Sequence, residues 1–250
     1  MAHEYPETFA RFYDLIYHHL RDSADSAFYL GEISSTKGKV LEIGTGTGRF
    51  FLTALNEGAD IYGIDISPSM INVLRTKLDK KDFHRVSLQS IVDFSLDMEF
   101  DLIIAPFRVF MHLLEKDDQI KALNNVFRHL SKDGKFIFDV FVPNLNALIN
   151  GISNQVDFDG EYEPGKRVRR IVSTSPDLHN QLINIDFLIE WDEGNETRQQ
   201  HWLTPLRYFF RFELEHLIER SDFRNYKILG DFEGNGLIDK SVEFIVVCRK

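Results

Sequence analysis

Between Val40 and Phe50 the chain reads VLEIGTGTGRF, an apolar run carrying Glu42 and followed by glycine at positions 44, 46 and 48. Removing side chains at alternate positions lets a backbone approach a flat, bulky ligand, while a carboxylate at a strand end accepts hydrogen bonds or attracts a cation. Such a loop could hold a phosphate, a dinucleotide, or a ligand without phosphate; the plainest alternative is a tight strand-to-helix turn. A phosphate-binding P-loop needs a lysine and a hydroxyl directly after its last glycine, and Arg49 and Phe50 stand there. The dinucleotide turn needs glycine or alanine five residues after its first glycine so that helix and strand can touch, and that place is again Arg49. Asp65 ends the next apolar run, YGID. Its carboxylate suits the two hydroxyls of a ribose, or else flanks the helix that begins beside Ser67. Glycine loop and acid together specify an adenosine-type nucleoside better than either alone.

A second group of chemically able residues follows FDLIIA: Pro106, Phe107, Arg108 and His112. The imidazole of His112 is either a base or a histidine satisfied by backbone contacts. Arg108 either holds an anionic group such as phosphate or carboxylate, or makes an ordinary surface ion pair. Near the start, Tyr13 and Tyr17 lie four apart and so share one helical face, which Arg21 continues; plain packing explains such spacing equally well. Arg167, Arg169, Arg170, His201 and Arg207 fall on later extended segments, either walling a pocket or forming a charge-rich solvated face.

The elements that must position these residues are legible from periodicity. Residues 8 to 33 carry apolar side chains at mixed three- and four-residue spacing, predicting one or two helices. KVLEIG, IYGID, RVSLQ, FDLIIAP and GKFIFDVFV read as strands. RFFLTALNEG, SPSMINVLRTKL and DDQIKALNNVFRHLS read as helices, the second with Ser67 as N-cap and Pro68 at its first position. That alternation predicts a doubly wound, mainly parallel sheet with helices on both faces and a ligand at the carboxyl ends of its strands. After Pro143 the pattern changes. KRVRRIVSTS, NQLINIDFLIEW and TRQQHWLTPLRYFF have no helix between them, and Ile183, Ile185, Phe187, Ile189 and Trp191 alternate with polar residues as an antiparallel strand with one wet face requires. RFELEHLIERSDF is a last helix, and NYKILGDF and SVEFIVVCRK close as a hairpin. One α/β domain over 1–250 is expected, with helices at 1–33, a nucleoside-binding core at 34–151, an antiparallel β insertion at 152–210, and a return to the core sheet at 211–250.

With 29 basic against 39 acidic residues the 250-residue chain carries a formal charge of −10, which disfavours a nucleic-acid partner or an anionic membrane surface. Cys248 is the only cysteine, so no intrachain disulfide or cysteine metal cluster can form, and no metal is expected. The first residues lack the apolar centre of a signal peptide, and no apolar run approaches the roughly 20 residues of a membrane span. A cytoplasmic protein is expected.

With these residues on the page, the chain resembles the class I S-adenosylmethionine-dependent methyltransferases: the glycine motif, GIDISPSMI, FDLIIAP with FRVFMHL, and HLSKDGKFIFDV all match in order. FARFYDLIY, the antiparallel segment and RFELEHLIERSDF are similar to the small-molecule branch that includes amino-sugar N-methyltransferases. The resemblance implies a Rossmann-like seven-stranded sheet with an antiparallel last strand, and S-adenosyl-L-methionine as cofactor. It implies that Gly44, Thr45, Gly46 and Gly48 line the cofactor and that Glu42 lies near its methionine part. Asp65 would hold the ribose, with Ile66 against the adenine, and Met70 and Pro106 would also bind the cofactor. It makes residues 1–33 a helical lid, on which Tyr13 and Arg21 would join the cofactor set; His112 and Tyr17 would serve catalysis, and Phe107, Arg108 and Arg207 would face the substrate. One departure stands out: where the family often has Gly-Asp-Met after the third strand, this chain has Gln89, Ser90 and Ile91, so adenine recognition through Ser90 and Ile91 should be weaker or water-mediated, with Asp93 a possible substitute. The implied reaction is methyl transfer to a small-molecule acceptor, preferentially at nitrogen. An NAD-type oxidoreductase and a non-catalytic adenosine-ligand binding protein are the rivals, and the choice between monomer and homodimer stays open.

Overall fold

Val40–Ile43 (β1) is buried at all four positions, as a strand must be when helices cover both its faces. In the computed structural model, which describes residues 5–20 and 24–250, two helices precede it, α1 (Glu7–Leu20) and α2 (Ala24–Ser35). After β1 come α3 (Arg49–Asn56), β2 (Ile61–Asp65), α4 (Pro68–Lys77), β3 (Val86–Leu88), β4 (Phe100–Ala105), α5 (Lys116–His129) and β5 (Leu130–Phe141). The Ser67 hydroxyl accepts the Met70 N–H at 3.3 Å, with Pro68 at the first position of α4, the start its sequence specifies.

The chain continues through α6 (Leu145–Asn150), four long strands β6 (Ile152–Glu163), β7 (Lys166–Asp177), β8 (Leu182–Glu193) and β9 (Glu196–Arg207), then α7 (Arg211–Glu219), β10 (Asn225–Leu229) and β11 (Glu243–Arg249). Seven strands form the main sheet in the order β10-β11-β5-β4-β1-β2-β3. β1 pairs in parallel with β2 and β4, β2 with β3 and β4 with β5, whereas β11 runs antiparallel to both its neighbours. This is the Rossmann-like, doubly wound sheet with an antiparallel last strand. Strand order reverses beside β1, so the carboxyl ends of β1 and β4 open a crevice there.

β6 to β9 form a separate antiparallel meander. Periodicity located three of its strands and missed β6, whose residues Ile152–Glu163 are mostly exposed and acidic because it is the edge of the sheet. One face of the meander presents Phe158, Val168, Ile189, Trp191 and Trp202 to Phe9, Phe12 and Ile16 of α1. Trp202 lies 5.2 Å from Phe9 and 4.2 Å from Tyr5, ring centre to ring centre. Helix α1 therefore shares an aromatic core with the meander, and its other side turns to the main sheet. There the Asp14 carboxylate accepts from the Thr47 hydroxyl at 2.6 Å in the glycine loop and from the Lys77 ammonium of α4.

Candidate active site

A cavity of about 380 Å³ opens at the carboxyl ends of β1, β2 and β4, beside Tyr5 and Tyr13. Thirteen of the expected residues border it: Tyr13, Glu42, Gly44, Thr45, Gly46, Asp65, Ile66, Met70, Ser90, Ile91, Pro106, Phe107 and His112. Gly48, Tyr17, Arg108 and Arg207 do not border it, and Arg21 lies outside the described residues.

The three glycines divide the work. All have positive φ, but a β-carbon on Gly44 would come within 2.4 Å of a Val109 methyl, and one on Gly48 within 2.4 Å of Leu74 in α4. Those two glycines admit neighbouring side chains. At Gly46 a β-carbon would meet nothing nearer than the Gly44 carbonyl oxygen at 3.9 Å, so here the missing side chain leaves open space. Arg49, at the third-glycine place of a dinucleotide turn, sends its guanidinium to α2, where it grips Asp25 with two contacts of 2.7 Å.

Asp65 is structural and available at once. One carboxylate oxygen accepts the Gly46 N–H and the other the Ser67 N–H, each at 2.8 Å, tying the glycine loop to the start of α4. Each oxygen retains a second lone pair for a ligand hydroxyl. Burial raises its pKa despite those donors, and burial holds Glu42 well above the ordinary glutamate range, the Thr45 hydroxyl giving only partial relief. Two carboxylates that are costly to ionise therefore border one cavity, an environment that a cation or hydroxyl-bearing ligand would relieve.

Beyond β3 the Ser90 hydroxyl accepts the Val92 N–H at 3.2 Å and so closes its own turn. Asp93 is exposed and does not border the cavity; Glu115 and Asp118, at the start of α5, do border it, and Asp118 pairs with Lys121 at 3.0 Å. Neither was singled out by the sequence, because an acid at a helix start is ordinary capping chemistry. Tyr5 was also missed: it borders the cavity, its ring 6.1 Å edge-on to Tyr13, and burial together with Tyr13 and Tyr17 pushes its phenol well above the usual value. Tyr17 lies behind Tyr13 and Phe107, with ring centres 4.4 and 5.3 Å away, and the Arg170 guanidinium covers its ring at 4.7 Å.

Arg170 is the one meander arginine of the sequence set that is buried. It forms a two-contact pair with Asp157 at 2.8 and 3.0 Å between the rings of Tyr17 and Phe187. Arg167, Arg169 and His201 pair with Asp159, Glu190 and Asp186 on the wet face. Arg207 donates to the Leu114 carbonyl at 2.6 Å, bracing the cavity wall from behind. Arg108 turns away to Glu243 at 2.8 Å.

The turn after β4 is the strained part of the site. Phe107 and Arg108 have φ of 58° and 63°, a region that costs a non-glycine residue roughly 1–3 kcal/mol. Both N–H groups point to one carboxylate, that of Asp139 in β5, at 2.8 and 3.1 Å, and the Tyr29 hydroxyl of α2 donates to the same group at 2.6 Å. Asp139 is 3% exposed; burial raises its pKa against the lowering by Tyr29 and Arg108. Its sequence signal is a lone carboxylate inside the otherwise apolar FIFDVF.

Residues 40–134 match the family described as a methyltransferase domain. A glycine/sarcosine N-methyltransferase of Parasynechococcus marenigrum (strain WH8102) is 30% identical over 235 residues, covering 92% of this chain and 79% of that protein. The chain belongs to the S-adenosylmethionine-dependent methyltransferases. Two solved structures share the fold of this methyltransferase at 17% identity. One is a S-adenosylmethionine-dependent methyltransferase from Clostridium acetobutylicum ATCC 824, with a TM-score of 0.75 and 97% of each chain covered. The other is a sugar N-methyltransferase from Streptoalloteichus sp ATCC 53650, with a TM-score of 0.73, 95% of this chain and 93% of that one. The cofactor of the methyltransferase is S-adenosyl-L-methionine. The cavity fits it: the two under-paired carboxylates suit a sulfonium and ribose hydroxyls, the open face of Gly46 admits bulk, and Ile66, Met70 and Ile91 offer apolar surface to a base. Among the described residues no helix is long and apolar enough to cross a membrane.

Proposed function

We propose that the enzyme methylates a small-molecule amine, and that the acceptor enters beside Phe107 and His112. The observation that carries this reading is the charge of the cavity wall. Glu42, Asp65, Glu115 and Asp118 border it, Asp118 sharing its carboxylate with Lys121, while Arg49, which also borders it, is paired with Asp25, and Arg108, expected to hold an anionic group, is committed to Glu243. Such a wall favours an acceptor that is neutral or cationic. The printed activities of the relatives, glycine/sarcosine and sugar N-methylation, support nitrogen as the target.

In this reading Asp65 receives the ribose hydroxyls and Glu42 faces the methionine part of the cofactor across Gly44, Thr45 and Gly46. Ile66, Met70, Ser90 and Ile91 frame the adenine. Tyr13, Tyr5 and Pro106 exclude water from the reaction side, and Gly48, Tyr17 and Arg207 act through the packing of elements around the cavity. When bound, the cofactor supplies a methyl group on a sulfonium, so that a nitrogen lone pair makes the C–N bond as the C–S bond breaks with its electron pair going to sulfur. His112, half-buried on the wall, takes the proton that the methylated nitrogen sheds. An amine needs little more, whereas a hydroxyl would need a base already in place during attack.

The test is transfer of a labelled methyl from S-adenosylmethionine to ethanolamine, glucosamine, glycine and sarcosine, with glycerol and glucose as hydroxyl acceptors. N-methylated ethanolamine or glucosamine is expected; methyl groups found only on oxygen, in these or in glycerol and glucose, would replace the reading with O-methylation.

A further inference from the structure

Two successive peptide N–H groups pointing one way form a nest for an anion, and here the anion comes from the chain itself. The N–H groups of Phe107 and Arg108 reach the two oxygens of Asp139 at 2.8 and 3.1 Å, and the Tyr29 hydroxyl holds that carboxylate from α2 at 2.6 Å. Ala105 pairs with Phe138 in the sheet, so the turn after β4 runs directly beside Asp139. Among the described residues no peptide is cis, so each carbonyl points opposite to the N–H of its own peptide plane. The carbonyls of Pro106 and Phe107 therefore point away from Asp139. Pro106 and Phe107 border the cavity, whereas Asp139 and Tyr29 do not.

We infer that Asp139 is a positioning residue of methyl transfer: it locks the Phe107–Arg108 turn so that the carbonyls of Pro106 and Phe107 receive the two N–H groups of a primary amine. The amine half of this inference rests on the proposed N-methylation, and the lock does not. A neutral primary amine has one substituent, two N–H bonds and a lone pair in tetrahedral directions. Engaging both hydrogens leaves the lone pair one direction. A hydroxyl offers a single hydrogen and gains only one of the two contacts. A secondary amine likewise keeps one N–H, so the first methyl transfer is faster than a second.

The experiment compares wild type with Asp139→Asn and Tyr29→Phe. Asparagine keeps the shape but turns an NH2 group against one of the two peptide donors, while phenylalanine removes only the third donor. Hydrogen exchange at Phe107 and Arg108, S-adenosylhomocysteine affinity, and kcat and KM for ethanolamine or glucosamine are measured on the whole enzyme. In Asp139→Asn both amides should exchange at least about tenfold faster, kcat should fall about a hundredfold, and S-adenosylhomocysteine affinity should stay within about twofold, since a small displacement of a positioning group is costly while Glu42, the glycine loop and Asp65 are untouched. Tyr29→Phe should show the same pattern at smaller amplitude and keeps the test open if the asparagine variant fails to fold. Unchanged amide exchange in either folded variant overturns the lock. Loss of S-adenosylhomocysteine affinity in step with kcat reduces Asp139 to a general structural role. Equal rates of first and second transfer overturn the carbonyl role. A wild-type enzyme that methylates no amine overturns the N-methylation reading and the carbonyl role together, with exchange still deciding the lock.

Discussion

Asp65 and Glu42 show how one carboxylate can serve fold and ligand in different proportions. Asp65 accepts the N–H groups of Gly46 and Ser67, so Asp65→Ala removes a tether of the glycine loop as well as an acceptor for ribose. A hydrogen bond to a charged group contributes about 1.5–3 kcal/mol, so calorimetry should find S-adenosylhomocysteine bound roughly 10- to 100-fold more weakly. An unchanged affinity would remove Asp65 from the site. Glu42 is different because desolvation dominates and its pKa is raised well above the ordinary value. The folded state then binds more protons than the unfolded chain from the ordinary glutamate range up to the raised value, so stability falls as pH rises through that window. Glu42→Gln should abolish that fall: denaturant unfolding of the cofactor-free variant should match wild type at low pH and exceed it at pH 8. The same variant should bind S-adenosylmethionine more weakly, a stability gain opposed by a loss of function.

At the scale of elements, α1 joins two surfaces by unlike forces. Its aromatic face is buried against Trp191 and Trp202 of the meander, whereas on its other side the half-exposed Asp14 bonds the buried Thr47 of the glycine loop and pairs with the partly exposed Lys77 of α4. Such exposed pairs contribute about 0.2–1 kcal/mol, so Asp14→Ala should speed S-adenosylhomocysteine release by no more than about fivefold in stopped-flow and leave global unfolding almost unchanged. Trp202→Ala should instead cost about 3–5 kcal/mol in denaturant unfolding, as truncation of a buried tryptophan does. The reverse ranking would mean that the helix is held by its charges. Sequence periodicity located α1, β8 and β9, whose apolar faces are regular, yet it missed β6 and α6. An edge strand with Asp157, Asp159, Glu161 and Glu163 is held by backbone pairing to β7, and backbone pairing leaves no hydropathy signal.

For the whole molecule, the crevice lies where the strand order of the main sheet reverses, and α1, packed on the meander, borders it through Tyr13. A ligand that binds only the folded state at a hundred times its dissociation constant adds about 2.7 kcal/mol, which raises the melting temperature of a chain this long by roughly 5–10 °C. S-adenosylhomocysteine should produce that shift in a thermal melt, and NAD should produce none, because Arg49 fills the place where a dinucleotide turn needs a small residue and is bound to Asp25. An equal shift with NAD would return the glycine loop to the dinucleotide reading.

The sequence by itself determined the parallel sheet, the glycine turn suited to a nucleoside, and the partners of α4's first turn, because these depend on contacts among residues close in the chain or on strict periodicity, while the cofactor itself followed from the family resemblance. It did not reveal that Gly44 and Gly48 make room for Val109 and Leu74, or that Arg170 is buried while Arg167 and Arg169 are wet. Nor did it join Asp139 to Phe107 and Arg108, 32 and 31 residues away, or Tyr29 to Asp139 across 110. Those decisions belong to the tertiary structure. Which carboxylate meets which donor is fixed by strand order and register, and a single chain's pattern of apolar and polar residues carries no record of either.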